Sequence, residues 1–557
     1  MNFKLTYGAR PGTHSRIIFV SFLCMFLLAK SKASPALAFV ACVLPPGQVT
    51  TDFFGGGFND TGFGSVLQPD GKIVLIGQAQ NSAGSYFGLA RYNTNGSLDP
   101  SFGIGGKVAS AVSNADTGRA IALQSDGKIV VAGQTDVGSS FDFRVSRFNS
   151  NGAPDASFGN QGSAVVDFGN SFDNPSAVVV QKDGKIVAAG YTQSGSNSNI
   201  AVLRCNTNGS LDATFGAGGK VVTTLDKVDS VHSMVIQSDG KIVVAGALSN
   251  PSTQDDFLLV RFNTDGSLDN SFGTNGVTST DFFSGEDVAI GLALQPDGRL
   301  VVVGLSKDST GATSSWAVGR YQADGFLDPT FGSGTGRVVT FVGNEIEDTA
   351  TAVGLQANGQ IVVAGYCLNG APTGQDFVVG RYNTDGSRDT SFGSAGEVKT
   401  DFCEGQDTAS GVLVQPDGKI VATGTALVSA DGFDFALVRY NAAGSLDPAF
   451  NGIPEPAFNY CMRDSVSGNY LQFDSTTGAY LFTRCRDGFT LAGTGKVQLV
   501  GSIIMLTDKE STCLVSAGFN TGQHTGSATI TLILAPGISQ TIRINATNPN
   551  AGCSCSG

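Results

Sequence analysis

Histidine is almost missing from this chain: His14, His232 and His524 are the three in 557 residues. No Ser-His-Asp or Cys-His arrangement can be nominated from so few, and His or Cys clusters at zinc-ligand spacing are absent as well. His232 stands beside a strand-like run, where a packing or surface role is expected. Basic residues are also short, with 34 Lys plus Arg against 47 Asp plus Glu and a formal net charge of −13. Without a basic cluster there is no stripe to track phosphates, so nucleic acid is excluded as a partner. Gly-rich stretches such as Gly55-Gly56-Gly57 lack the strand-to-helix setting of a phosphate loop and serve as turns. No apolar run reaches the roughly 20 residues that span a bilayer. Sustained helical spacing is missing too.

The longest apolar run, Ile17 to Ala29, follows Lys4, Arg10 and Arg16 and precedes Ala36-Leu37-Ala38. A basic start, an apolar stretch and a small-x-small site make residues 1–38 an expected signal peptide, with the mature protein extracellular or at the cell surface. Cys42, closing Phe39-Val40-Ala41-Cys42, offers a lipoprotein anchor as the alternative. Export permits disulfides. Five of the 10 cysteines, Cys461, Cys485, Cys513, Cys553 and Cys555, lie near the C-terminus, and Cys461 with Cys485 across a hairpin is the simplest pairing.

Glycine is abundant, 75 of 557 residues, yet aliphatic and aromatic residues remain plentiful, as in a turn-rich β protein rather than a disordered chain. Self-comparison shows why. A Gln-Pro-Asp-Gly-Lys-Ile-Val peptide recurs with its glycine at Gly71, Gly127, Gly184, Gly240, Gly298, Gly359 and Gly418, at intervals of 56, 57, 56, 58, 61 and 59 residues. A second signature follows each copy, as in the segment from Arg261 to Gly273. One unit holds four strand-like runs, Val277 to Phe282, Val288 to Gln295, Arg299 to Gly304 and Ser315 to Tyr321. Pro-Asp-Gly joins the second to the third as a tight hairpin. Four antiparallel strands per unit, seven times over, predict an all-β fold in which the units close into a seven-bladed β-propeller and so protect their edges.

The D-G-K-I-V-V-A-G, R-Y-N-x-D-G-S-L-D and S-F-G-x-x-G elements resemble the delta-60 repeat of bacterial surface and secreted proteins, and their layout is similar to NHL-type propeller repeats. The resemblance spans about residues 47 to 451 and implies a fold and an extracellular address, but no chemistry. By the NHL analogy the run before Pro-Asp-Gly is the innermost strand of its blade, and the Val49 strand pairs with the last blade. The expected domains are a propeller over 47–451, a linker over 452–458 marked by Pro454 and Pro456, and a C-terminal all-β domain over 459–557, built as a small sandwich.

Residues repeated in every unit serve the ring, because inter-blade contacts are needed seven times, whereas a single site needs its residues once. Arg91, Arg147, Arg204, Arg261, Arg320, Arg381 and Arg439 occupy one repeat position, Asp99, Asp155, Asp212, Asp269, Asp328, Asp389 and Asp447 a second, and Phe102, Phe158, Phe215, Phe272, Phe331, Phe392 and Phe450 a third. They are assigned as an Arg–Asp clasp and an inter-blade plug. The same turn resembles a calcium loop, but Arg261 sits where the first carboxylate belongs and Asn95, Asn151 and Asn208 lower the charge further, so calcium is not expected there.

Asp60, Asp116, Asp173, Asp229, Asp287, Asp348 and Asp407 form another series, each preceding a strand assigned as innermost. They would ring one channel mouth and hold a cation, calcium being the candidate, or else cap their own turns and bond backbone amides. The invariant turns share one face of the meander. The variable loops, Gln78 to Ser85, Ala247 to Asp255, Ser306 to Ser315 and Tyr366 to Gln375, share the other, which is the expected partner face. Glu345, Glu347 and Trp316, present in one unit only, are placed in or near such loops. The expected function is a monomeric, non-enzymatic surface propeller that binds a protein or glycan through that face, with no cofactor. A hydrolase or lyase acting in the channel and a structural spacer are the alternatives. A channel enzyme would show singular charged residues converging on the axis.

Overall fold

The computed structural model describes residues 44–450 apart from short loop stretches, and beyond them the backbone of strands between 460 and 546. Residues 1–38, expected to be a signal peptide, Cys42 and the side chains of the five C-terminal cysteines lie outside the described residues. Within residues 44–450 the chain forms seven four-stranded antiparallel blades in a closed ring, two of them sharing the long strand Lys220–Ile236.

In the first blade an inner strand, Thr61–Leu67, is followed by Ile73–Asn81, Gly84–Tyr92 and the short outer strand Lys107–Ser110. The second strand opens Ile73-Val74-Leu75-Ile76 with all four side chains fully buried. Such a run, apolar on both faces, is what a strand pressed between two neighbouring blades requires. Val74, Ile76, Phe87 and Leu89 of one blade accordingly share a core with Phe102, Ile129 and Val131, the last two from the next. The hairpin after each inner strand turns on its repeated glycine at φ between 82° and 90°, a region that favours glycine.

Each inner strand carries a β-bulge at one place, between Gly62 and Gly64, Gly118 and Ala120, Pro175 and Ala177, Val231 and Ser233, Ala289 and Gly291, Ala350 and Ala352, and Ala409 and Gly411. A bulge sharpens local twist, and here it frees one side chain per blade. Where that side chain bears a hydroxyl it is spent on the ring: Thr351 donates to Ala409 O at 2.6 Å and Ser410 to Gly62 O at 2.8 Å.

Closure follows the expected route. Gln48–Thr51 pairs antiparallel with Gly432–Tyr440, Val49 opposite Leu437, and supplies the outer strand of the seventh blade. The sequence unit and the blade are therefore out of phase by one strand. The tail forms two antiparallel meanders: Tyr460–Arg463, Tyr470–Phe473, Ala479–Arg484 and Phe489–Thr494, then Lys496–Val500, Ile503–Thr507, Cys513–Asn520, Thr525–Ala535 and Ile538–Ala546. Lys496–Val500 and Ile503–Thr507 pair antiparallel as a hairpin.

Candidate functional site

The seven-fold residues hold blade to blade. Arg91 Nε donates to Asp99 Oδ2 at 2.9 Å, its Nη1 reaches the Ser150 carbonyl of the next blade, and its guanidinium carbon lies 4.6 Å from the centre of the Phe102 ring. The other six arginines repeat the pattern, and Arg439 reaches Thr94 O at 2.5 Å across the closure. In six blades the Asp meets a second cation from its own Asp-Gly hairpin: Lys72, Lys128, Lys185, Lys241, Arg299 or Lys419. In the sixth blade Gln360 donates to Asp389 at 2.7 Å instead. Burial alone would raise the Asp99 carboxyl, but hydrogen bonds from Ser101 and Lys72 and the charge of Arg91 outweigh it and bring it down to about 2. The carboxylate a calcium ion would need in this turn is therefore already held.

The inner-strand aspartates do not form an open crown. Asp60, Asp116, Asp173, Asp287, Asp348 and Asp407 are at most 1% exposed and turn into the junctions between blades; the Asp229 side chain lies outside the described residues. Backbone amides of the preceding connection hold five of them: Phe53 N to Asp60 at 2.6 Å, Phe168 N to Asp173 at 2.8 Å, Phe282 N to Asp287 at 2.6 Å, Val342 N to Asp348 at 2.9 Å and Phe402 N to Asp407 at 2.6 Å. Among the described residues no three of the series come together. The physical reason is satisfaction: a buried amide at the end of each outer strand needs an acceptor, and this carboxylate supplies it.

Four of these aspartates instead meet two others. Asp52, Asp60 and Asp434 form one cluster, Asp142, Asp167 and Asp173 a second, Asp256, Asp281 and Asp287 a third, and Asp376, Asp401 and Asp407 a fourth, with one oxygen from each member within 4.8 Å of the others. Burial first, and the neighbouring aspartates after it, push Asp434 up to about 7. Asp60 rises to about 6 through burial, opposed by the Phe53 and Gln80 amides and by Lys107. Asp287 rises to about 7, again through burial. The Ser306 hydroxyl beside it lowers it somewhat, yet forms no hydrogen bond of normal geometry, since both Ser306 Oγ and Asp287 Oδ1 are buried without a partner.

The inner strands carry a second constellation. The side chains freed by the bulges differ from blade to blade, and Phe63, Arg119 and His232 are three of them. Arg119 lies 5.2 Å from the centre of the Phe63 ring, and its Nε is buried without a hydrogen bond. Burial holds the Arg119 guanidinium below its ordinary value against the opposing influence of Tyr191 of the third blade, and the charge of Arg119 bears on His232 of the fourth. Arg119 and His232 stand at the bulges of the inner strands of blades two and four, which do not adjoin. Burial and Arg119 push His232 down to about 4, which keeps the imidazole neutral. A packing or surface role was expected for His232 from its place beside a strand-like run.

Trp316 belongs to neither site. It is fully buried and takes the core position that Phe257 and Phe377 fill in adjacent blades, not a loop. Glu347 is exposed in the connection before Asp348, and Glu345 lies outside the described residues. On the same face Phe54, Phe283 and Phe341 are 44%, 52% and 52% exposed in corresponding connections.

A family model described as "Domain of unknown function (DUF5122) beta-propeller" matches the chain seven times, at residues 68–102, 124–158, 181–215, 237–272, 295–331, 356–392 and 415–450. No curated protein matches it in sequence. Among solved structures it is similar to a catalytically inactive virginiamycin B lyase from Staphylococcus aureus with quinupristin, at 12% identity and TM-score 0.41, over 70% of this chain and 98% of that one. It is also similar to the polysaccharide lyase Uly1, at 11% identity and TM-score 0.40, over 72% of this chain and 100% of that one. Sqt1 from Chaetomium thermophilum is a third, at 12% identity and TM-score 0.38, over 70% and 98%. Likenesses this distant carry no argument about chemistry.

Proposed function

We propose that the chain is an exported, non-enzymatic binding propeller that engages a protein or glycan through the face of its variable loops. The observation behind this reading is the set of exposed rings Phe54, Phe283 and Phe341 in equivalent connections on that face. An apolar ring held in water by a rigid scaffold is unfavourable for the free protein and favourable for an interface, where aromatic residues act as anchors. The test is binding to an array of bacterial polysaccharides and to immobilised surface proteins. The triple variant Phe54→Ser, Phe283→Ser, Phe341→Ser is expected to lose at least tenfold in affinity with an unchanged melting temperature. Equal binding by wild type and variant would move the site elsewhere.

A second reading is favoured by Arg119 and His232, which occur in one blade each at the bulges of inner strands and are electrostatically linked. A neutral imidazole beside a guanidinium suits proton abstraction from an anionic substrate. Turnover of an acidic polysaccharide, abolished by His232→Ala, would support it over binding alone.

A further inference from the structure

In blades two, four, six and seven, two aspartates face each other across the third and outer strands. The register that sets Phe143 opposite Val166, Phe257 opposite Thr280, Phe377 opposite Thr400 and Phe435 opposite Thr51 brings Asp142 against Asp167, Asp256 against Asp281, Asp376 against Asp401 and Asp434 against Asp52. The next blade's inner strand then adds a third aspartate to each pair. Like charges directly across a sheet destabilise it. In the remaining blades the same register sets Tyr86 opposite Ala111 and Ser315 opposite Phe341, and blade three carries Asn199 and Thr224 at the corresponding positions. The aspartates are thus kept as a pair or dropped as a pair. For the seventh blade this holds between Asp52 and Asp434, which stand at opposite ends of the propeller sequence. Packing of the adjoining rings, such as Phe53 on Phe435 at 4.8 Å, accounts for the phenylalanines but not for the acids.

Two observations point to a missing positive charge. Asp287, with no exposed surface, leaves Oδ1 without a hydrogen bond of normal geometry, the Ser306 hydroxyl beside it included. At the junction of blades one and two, where the acidic pair is absent, the protein supplies its own cation: Arg144 Nη1 donates to Asp116 at 2.6 Å with its guanidinium 4.1 Å from the Phe87 ring centre. At two of the complete clusters a nearby basic group is spent on the main chain. Lys107 donates to the carbonyls of Asp52 and Phe53 at 2.9 and 3.0 Å, and Arg337 to that of Asp281. Among the described residues no ion pair reaches the carboxylates of Asp52, Asp60, Asp434, Asp281 or Asp287.

We propose that each of the four three-aspartate clusters binds one calcium ion, which joins the third and outer strands of a blade to the inner strand of the next. Oxygens within 4.8 Å of one another fit ligands at about 2.4 Å from a shared Ca²⁺, with water completing the shell. Calcium tolerates the irregular shell that three carboxylates and water provide, whereas magnesium demands a near-ideal octahedron.

The test is calorimetric titration of the metal-free full chain with calcium chloride to a few millimolar, the range of extracellular calcium modules. About four ions should bind, with a melting temperature that rises with calcium and falls again with EDTA. Asp434 accepts no hydrogen bond from the described protein, so Asp434→Asn removes charge without breaking a contact and should lower the stoichiometry by one. Asp142→Asn, Asp256→Asn, Asp376→Asn and Asp434→Asn together should abolish binding; if that variant does not fold, wild type and Asp434→Asn decide. No bound calcium in the wild type, an unchanged stoichiometry in Asp434→Asn, or displacement by a tenfold excess of magnesium would each overturn the proposal.

Discussion

Arg320 makes three kinds of contact: a 2.7 Å hydrogen bond from Nε to Asp328, a bond to the Thr384 carbonyl of the next blade, and a face of Phe331 at 4.6 Å. Truncation strands Asp328, a carboxylate 2% exposed, with the half-exposed Arg299 as its remaining cation. Arg320→Ala should therefore cost about 3 kcal/mol, as for other broken buried pairs, measurable by urea unfolding. Lysine should rescue little, because a point charge cannot bridge the Asp and the carbonyl in one plane. The acid behaviour follows from the same contacts. Asp389, held at about 2 by its Ser391 bonds and by Arg381 against the opposing effect of burial, ionises near 3.9 when unfolded. The folded value is the lower one, so its stabilisation is complete above about pH 4 and disappears as pH falls toward 2. Asp389→Asn should flatten the loss of melting temperature in that window and leave the profile above it parallel to wild type.

Among elements, the strand Gln48–Thr51 carries the largest consequence for its length. It covers the outer edge of Gly432–Tyr440, and Gly47 N bonds Phe450 O at 2.8 Å beside it. Deleting residues 44–51 uncovers a strand edge, which is a template for pairing with another chain. The expected outcome is a lower melting temperature together with dimers or aggregates in size-exclusion chromatography. Four strands per unit were legible before any coordinates because Gly and Asp punctuate them, and the second strand announced its burial on both faces by an unbroken apolar run. The aspartate clusters were not legible. Asp60 and its series stood out because all seven units carry it, but the partners that give four of them their setting come from two other strands and, for Asp52 and Asp434, from opposite ends of the ring. A signal existed, the joint recurrence of Asp-Phe in the third and outer strands of four blades, and it acquires meaning only with the cross-strand register. Trp316 misled in the opposite way: uniqueness suggested a loop, while an aromatic core position tolerates a larger ring.

At the scale of the whole molecule, closure is non-covalent, since the strand that completes the seventh blade enters from the start of the propeller. A permutant opening at Thr61, with residues 44–60 attached behind Asn451, should keep the same blade pairings and a similar melting temperature. Failure of that permutant to fold would show that chain order, and not pairing alone, directs assembly. The seven repeats by themselves determined the strand content, the blade number and the inter-blade Arg, Asp and Phe, because a ring imposes identical contacts and identical contacts leave periodic residues. Tertiary structure alone decided what the non-periodic residues do. Arg119 and His232 belong to different, non-adjacent blades, and distance along the chain says nothing about the charge of one bearing on the other. Whether two carboxylates repel across a strand or lie apart depends on a register that shifts by one strand between the repeat and the blade.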